Sequence, residues 1–210
     1  RNHMLYFLEN HDEQRIASDF FAGEPRKAIP GMLVTALLYQ NPVMVYAGQE
    51  FGERGMDKEG FSGCDGRSTI FDYWTVESVY KGFWNKKQLT NETKSLLLTY
   101  QRILNICNNE AAVREGQSYD LMYVNVQSDK FNSHRQFAFL RKAEDEVLLI
   151  VANFSKDKKY IGVTIQSHAF EFLGLSTGNV VMTDLLSGDS LSATLEPNKQ
   201  VEMEVDGYYG

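Results

Sequence analysis

Asn10, His11 and Asp12 put a neutral amide, an imidazole and a carboxylate side by side directly after the apolar run Met4-Leu5-Tyr6-Phe7-Leu8-Glu9. The run is rich in strand formers, and the polar cluster Asn10-His11-Asp12-Glu13 stops it, so it reads as a buried strand. In barrels and other parallel-sheet proteins, ligands sit at the C-terminal ends of the strands. There an imidazole and a carboxylate offer hydrogen-bonding and acid-base groups to a ligand. The same tripeptide also has a plainer reading, because short motifs match by chance. In it, Asp12 caps a helix starting at Glu13 and His11 is an ordinary polar turn residue.

The elements around it decide whether that strand is parallel. Pro30 suits an early helical turn, and Met32, Leu33, Ala36, Leu37 and Tyr39 supply an apolar face up to Asn41-Pro42. Val43-Met44-Val45-Tyr46 is a second short apolar run, halted by Ala47-Gly48, and strand, helix, strand in that order reads as a βαβ unit. From Gly48 to about Leu89 the chain is rich in glycine and charge, with Phe61, Phe71, Tyr73 and Trp74 interspersed. A loop that long is functional or disordered.

Thr90 or Asn91 caps a helix in which Leu96, Leu97, Tyr100, Ile103, Leu104 and Cys107 recur at helical spacing, ending near Asn108-Asn109. Beyond it the period changes to two. Phe137 and Phe139, then Ile161, Val163 and Ile165, then Val201, Met203 and Val205 alternate with small or polar neighbours. The continuous run from Val147 to Phe154 suits a strand covered on both faces. Turn signals at Ser155-Lys156-Asp157, Ser176-Thr177-Gly178-Asn179 and Ser187-Gly188-Asp189 separate the runs without a long helix, as in an antiparallel sandwich of about 100 residues. The shift near residue 110 is the expected domain boundary.

Composition narrows the partners. A net charge of -7, with 21 scattered basic residues, argues against nucleic acid, whose backbone needs concentrated Lys and Arg. Two cysteines, Cys64 and Cys107, do not make a disulfide framework or a Cys-type zinc site and leave the redox compartment open. No apolar stretch reaches the roughly 18 residues that cross a bilayer, and Arg1-Asn2-His3-Met4 lacks a signal-peptide core. No membrane partner is expected, and the chain reads as if its beginning lay elsewhere.

The segment Phe7-Leu8-Glu9-Asn10-His11-Asp12-Glu13-Gln14-Arg15 resembles the fourth conserved region of the α-amylase family of glycoside hydrolases, an aromatic strand ending in Asn-His-Asp. Val43 to Gly52 is similar to that family's last barrel strand with its Gly-Gln-Glu exit, and Asp65 to Trp74 is similar to the loop that follows. Phe137-Ala138-Phe139-Leu140-Arg141, followed by Val147 to Ser155, looks like the start of the family's C-terminal sandwich. The resemblance covers nearly the whole chain in the family's order. It implies an α/β part plus an all-β part. Residues 1–110 would be the last two strand-helix units of a (β/α)8 TIM barrel, and residues 111–210 an antiparallel Greek-key β-sandwich.

Such enzymes run a retaining reaction with an Asp nucleophile, a Glu acid/base and a second Asp that stabilises the transition state. By the motif match Asp12 is that second Asp, and His11 binds substrate by donating to a sugar hydroxyl. Asn10 holds the turn. Arg15 pairs with Asp12 or Glu13, or is a surface charge; Phe61, Phe71, Tyr73 and Trp74 stack on sugars or pack. Glu50 and Glu53 fall near the barrel mouth but match no catalytic position. The nucleophile and acid/base are missing, since a barrel needs about 250 residues, so the chain alone is expected to be inactive. The implied partners are an α-glucan, with starch-like α-1,4-glucan the default, and the missing N-terminal part of the barrel. Unpaired strands would favour self-association. No cofactor is expected in this chain, with calcium left open for a full-length parent, and no metal site is expected. Two other readings remain: a non-catalytic carbohydrate-binding or partner-subunit module, and a glycosyl-transferring relative. Both tryptophans, Trp74 and Trp84, fall outside the expected sandwich, which ranks the binding module lower.

Overall fold

The two apolar runs near the start of the chain pair in parallel. β1 (Tyr6–Phe7) lies beside β2 (Val43–Met44), with Tyr6 opposite Val43 and Phe7 opposite Met44. Each is shorter than its apolar run, because a ladder exists only where a partner runs alongside and each strand has one partner among the described residues. A parallel pair requires a crossover, supplied here by a 3-10 turn at Pro25–Lys27 and by α1 (Ala28–Leu37). Pro30 lies in the first turn of α1, where its missing N–H has no helical partner to lose. Ile29, Met32, Leu33, Ala36 and Leu37 are buried, whereas Tyr39 lies past the helix end and is exposed.

The computed structural model describes residues 4–55, 64–71 and 73–210. It divides into two units, Arg1–Thr35 with Asn41–Gln101, and Ala36–Gln40 with Arg102–Gly210. In the first unit the expected long loop contains a helix, α2 (Glu77–Trp84). Its burial is inverted, which hides it from periodicity. Gly82 is its buried residue, packed so closely on the Phe51 ring that no side chain fits, while Tyr80, Phe83 and Trp84 stay exposed. Next comes α3 (Asn91–Asn109), capped by Thr90, whose hydroxyl accepts the Thr93 N–H at 3.1 Å. Leu96, Tyr100, Ile103 and Ile106 form its buried stripe, flanked by half-buried Leu97, Leu104 and Cys107.

The second unit holds seven antiparallel strands. β3 (Gln117–Asp120), β4 (Gln136–Ala143) and β5 (Glu146–Asn153) form one sheet in that order. β6 (Lys159–Ile165) pairs with β9 (Lys199–Val205), and between them β7 (Gly178–Thr183) pairs with β8 (Ser190–Leu195). Short helices α4 (Ala111–Arg114), α5 (Met122–Asn125) and α6 (Ser167–Leu173) intervene. The core gathers Leu140, Val151, Ile161, Val163, Phe170 and Val201 among others. The run over β5 is covered on both faces only from Ile150 onward, since Val147 is exposed. Asn153, fully buried, donates to the carbonyls of Asp157 and Asp206, so the end of β5 fastens the end of the chain. The chain is thus an α/β segment followed by an antiparallel β segment.

Candidate active site

The turn after β1 is organised by Asn10. Its Oδ1 accepts the backbone N–H groups of Asp12 at 2.8 Å and Glu13 at 3.1 Å, an Asx turn. No helix starts at Glu13, so Asp12 is not a helix cap. The two side chains that the motif singles out stand together in solvent, with His11 Nε2 3.4 Å from Asp12 Oδ1 and side-chain exposures of 56% and 74%. They present a ring nitrogen and a carboxylate to whatever approaches the strand end.

Arg15 corrects an expectation. It pairs with neither Asp12 nor Glu13, and it is not a surface charge: its side chain is fully buried, and its Nε lies 2.9 Å from Glu9 Oε2. Nη2 donates to the Ala47 carbonyl at 3.0 Å, Nη1 donates to Ser68 Oγ at 3.2 Å, and the guanidinium lies 4.6 Å over the Tyr46 ring. The physical reason is that Asn10 turns Asp12 and Glu13 outward, while a buried guanidinium needs acceptors buried with it, and here one of them is a carboxylate. Glu9 is that carboxylate. Its Oε1 accepts the Ile16 N–H at 2.6 Å, and burial pushes its carboxyl above the ordinary range against the opposing pull of Arg15. The Arg15 N–H itself donates to the Gly66 carbonyl at 2.7 Å.

Gly48, just after Ala47, has φ +94°, and a Cβ there would come within 2.9 Å of Glu53 Cβ and 3.3 Å of Arg15 Nη2. Only glycine lets the exit of β2 pass so close to the guanidinium. Glu50 Oε2 accepts the Gly48 N–H at 3.1 Å, and burial raises its carboxyl pKa. Glu53 is buried and accepts from the Gly55 N–H at 2.7 Å and from the Ser78 hydroxyl. Both glutamates therefore hold local backbone.

Phe71, Tyr73 and Trp74 are exposed, with Phe71 stacked on Tyr73 at 5.3 Å between centroids and Tyr73 6.1 Å from Trp74. Phe61 lies outside the described residues. Among the described residues no group of three or more His, Cys, Asp or Glu is placed so that it could hold a metal ion. No helix is long and apolar enough to cross a membrane, again among the described residues. Sequence reasoning missed the Glu9–Arg15 pair. The available signal was two opposite charges flanking Asn-His-Asp, with Arg15 running straight into the apolar Ile16-Ala17.

No family model and no curated protein matches the chain. Solved structures do. An α-amylase from H. orenii matches with a TM-score of 0.60 at 22% identity, covering 97% of this chain and 38% of that one. A cyclomaltodextrinase matches with 0.60 at 19% identity, over 98% of this chain and 28% of its own. AmyP, solved in complex with maltose, matches with 0.60 at 18% identity, over 97% and 39%. The chain spans well under half the length of these structures, and at such identities the likeness shows the fold, that of a C-terminal portion of α-amylase-type enzymes.

Proposed function

We propose that this chain is the C-terminal part of an α-amylase-type glycoside hydrolase acting on α-1,4-glucans. In this reading the β1–α1–β2 segment and the helices after it are the last two strand-helix units of a (β/α)8 barrel, and the antiparallel strands form a Greek-key sandwich. The observation that carries the reading is the turn after β1, where Asn10 fixes the backbone and leaves His11 and Asp12 exposed side by side at the C-terminal end of a strand in a parallel pair.

The chemistry follows from the transition state. As the glycosidic bond breaks, the sugar becomes oxocarbenium-like and its hydroxyls become stronger donors. A fixed carboxylate that grips them then binds the transition state more tightly than the ground state. Asp12 takes that role, and His11 donates to a hydroxyl of the same ring. Retention requires a nucleophile and an acid/base about 5 Å apart, and Asp12 cannot be both. Those two groups come from residues outside this sequence, so this chain alone does not hydrolyse glucan. The solved relative with bound maltose supports a maltooligosaccharide as the test ligand.

The test is Asp12→Asn in the full-length protein, with turnover of a maltooligosaccharide and the anomeric form of the fresh product followed by NMR. The expected result is α-anomer first from the unaltered enzyme, and a kcat lower by about a hundred- to thousandfold in the variant with a smaller change in KM. Unchanged turnover removes Asp12 from the site.

A further inference from the structure

We infer that Arg15, locked to Glu9, is a positioning residue that sets where His11 and Asp12 stand; the inference rests on the reading above, in which Asp12 meets the sugar. The turn from Glu9 to Ile16 is closed at its neck by two contacts of one carboxylate, Oε1 to the Ile16 N–H at 2.6 Å and Oε2 to Arg15 Nε at 2.9 Å. Arg15 then ties that neck to two separate segments: the exit of β2 through the Ala47 carbonyl, and residues 66–68 through the Gly66 carbonyl and Ser68 Oγ.

The tip of the turn has the opposite character. His11 and Asp12 are mostly exposed, and the Asx turn at Asn10 fixes them relative to each other and to their own backbone. It does not fix them relative to β2. That placement comes from the β1–β2 ladder that leads into the turn and from the neck, where one side chain reaches three segments at once. Glu9 neutralises the guanidinium at contact distance, so the effect on Asp12 is geometric rather than a matter of charge.

Lysine separates these roles. Arg15→Lys keeps a positive charge for Glu9, but a single ammonium on a flexible stem cannot reproduce a planar fork spanning Glu9, Ala47 and Ser68. Displacing a reacting group by about 1 Å lowers rates by up to about a hundredfold. If Arg15 acts through Asp12, the loss disappears once Asp12 has lost its carboxylate.

The experiment is a double-mutant cycle in the full-length protein, with kcat and KM for a maltooligosaccharide and the melting temperature measured for Arg15→Lys, Asp12→Asn and the double variant. The expected result is a kcat loss of about tenfold or more for Arg15→Lys in the native background, with KM within about twofold. In the Asp12→Asn background the same change alters kcat by less than about twofold. Equal losses in both backgrounds, or no loss in the native one, overturn the inference. If Arg15→Lys does not fold, Glu9→Gln, which opens the same neck from the other side, is read by the same criterion. Full turnover in Asp12→Asn alone overturns the functional reading itself, and so is distinguishable from failure of the Arg15 inference.

Discussion

Replacing Arg141 by methionine removes a guanidinium that is 1% exposed and donates to three backbone carbonyls. Nε reaches Ala112 O at 2.9 Å, Nη1 reaches Leu38 O at 2.9 Å, and Nη2 reaches Val113 O at 2.6 Å. Ala112 and Val113 belong to α4, which is only four residues long, so the carbonyls of its last turn run out of helical donors, and Arg141 supplies partners for those of Ala112 and Val113. Burial lowers the guanidinium pKa, yet the group remains charged because arginine does not deprotonate in proteins. A hydrogen bond to a charged group contributes about 1.5–3 kcal/mol, and a buried carbonyl left bare costs about 1–3 kcal/mol. Against this, methionine refills much of the stem volume and removes a buried cation whose desolvation amounts to several kcal/mol. The balance is a destabilisation of about 2–4 kcal/mol, a loss of about 1–2 M in urea midpoint at an ordinary slope. Urea unfolding of the chain by circular dichroism measures it. A change under about 0.5 kcal/mol refutes the reasoning, because it would mean that water satisfies all three carbonyls once the guanidinium is gone.

Thr90→Ala removes the acceptor for the Thr93 N–H at the start of α3 and is expected to destabilise by about 1 kcal/mol, while Thr90→Ser is expected to be nearly neutral; the same urea titration reads both. Glu50→Gln tests the raised Glu50 carboxyl. A carboxyl that binds its proton more tightly when folded contributes stability that is fully present below the ordinary pKa of 4.5 and is lost as pH rises through the raised folded value. Glutamine is neutral at every pH, so the variant's stability relative to the native protein should be higher at pH 7 than at pH 4. Equal urea-midpoint differences at the two pH values would contradict the burial of that charge.

Legibility in the sequence followed the range of the interactions involved. Helix α3 was readable because Leu96, Tyr100 and Ile103 repeat at helical spacing beside the capping Thr90, all within one short window. β6 and β9 were readable because Ile161, Val163 and Ile165 alternate into the core. β7 and β8 were not: Ser, Thr and Ala share their positions with Val and Leu, Val181 points outward, and Leu191 on the inner face is still part-exposed. Helix α2 was missed because its buried surface is a glycine. The turn at Asn10-His11-Asp12 announced itself as a polar stop. The neck beneath it did not, since Arg15 meets Ala47 and Ser68 only after the chain has folded back by 32 and 53 residues.

Arg15 and Arg141 are the two largest fully buried side chains among the described residues, and their surroundings assign them different work. Arg141 sits among carbonyls, and its removal takes a charged donor from three of them at once, so its loss registers as stability. Arg15 sits against a carboxylate that already neutralises it. A buried ion pair of that kind is weak grounds for stability, because apolar residues of similar volume often hold a fold as well. What an apolar pair cannot do is fix direction. A planar fork that meets Glu9, Ala47 and Ser68 leaves the neck of the turn one arrangement, whereas apolar packing tolerates several. The two arginines should therefore separate by assay: Arg141→Met shifts the urea midpoint and leaves kcat of the folded enzyme intact, while Arg15→Lys lowers kcat with the smaller effect on stability. The reverse pattern would place the geometric constraint on the wrong arginine.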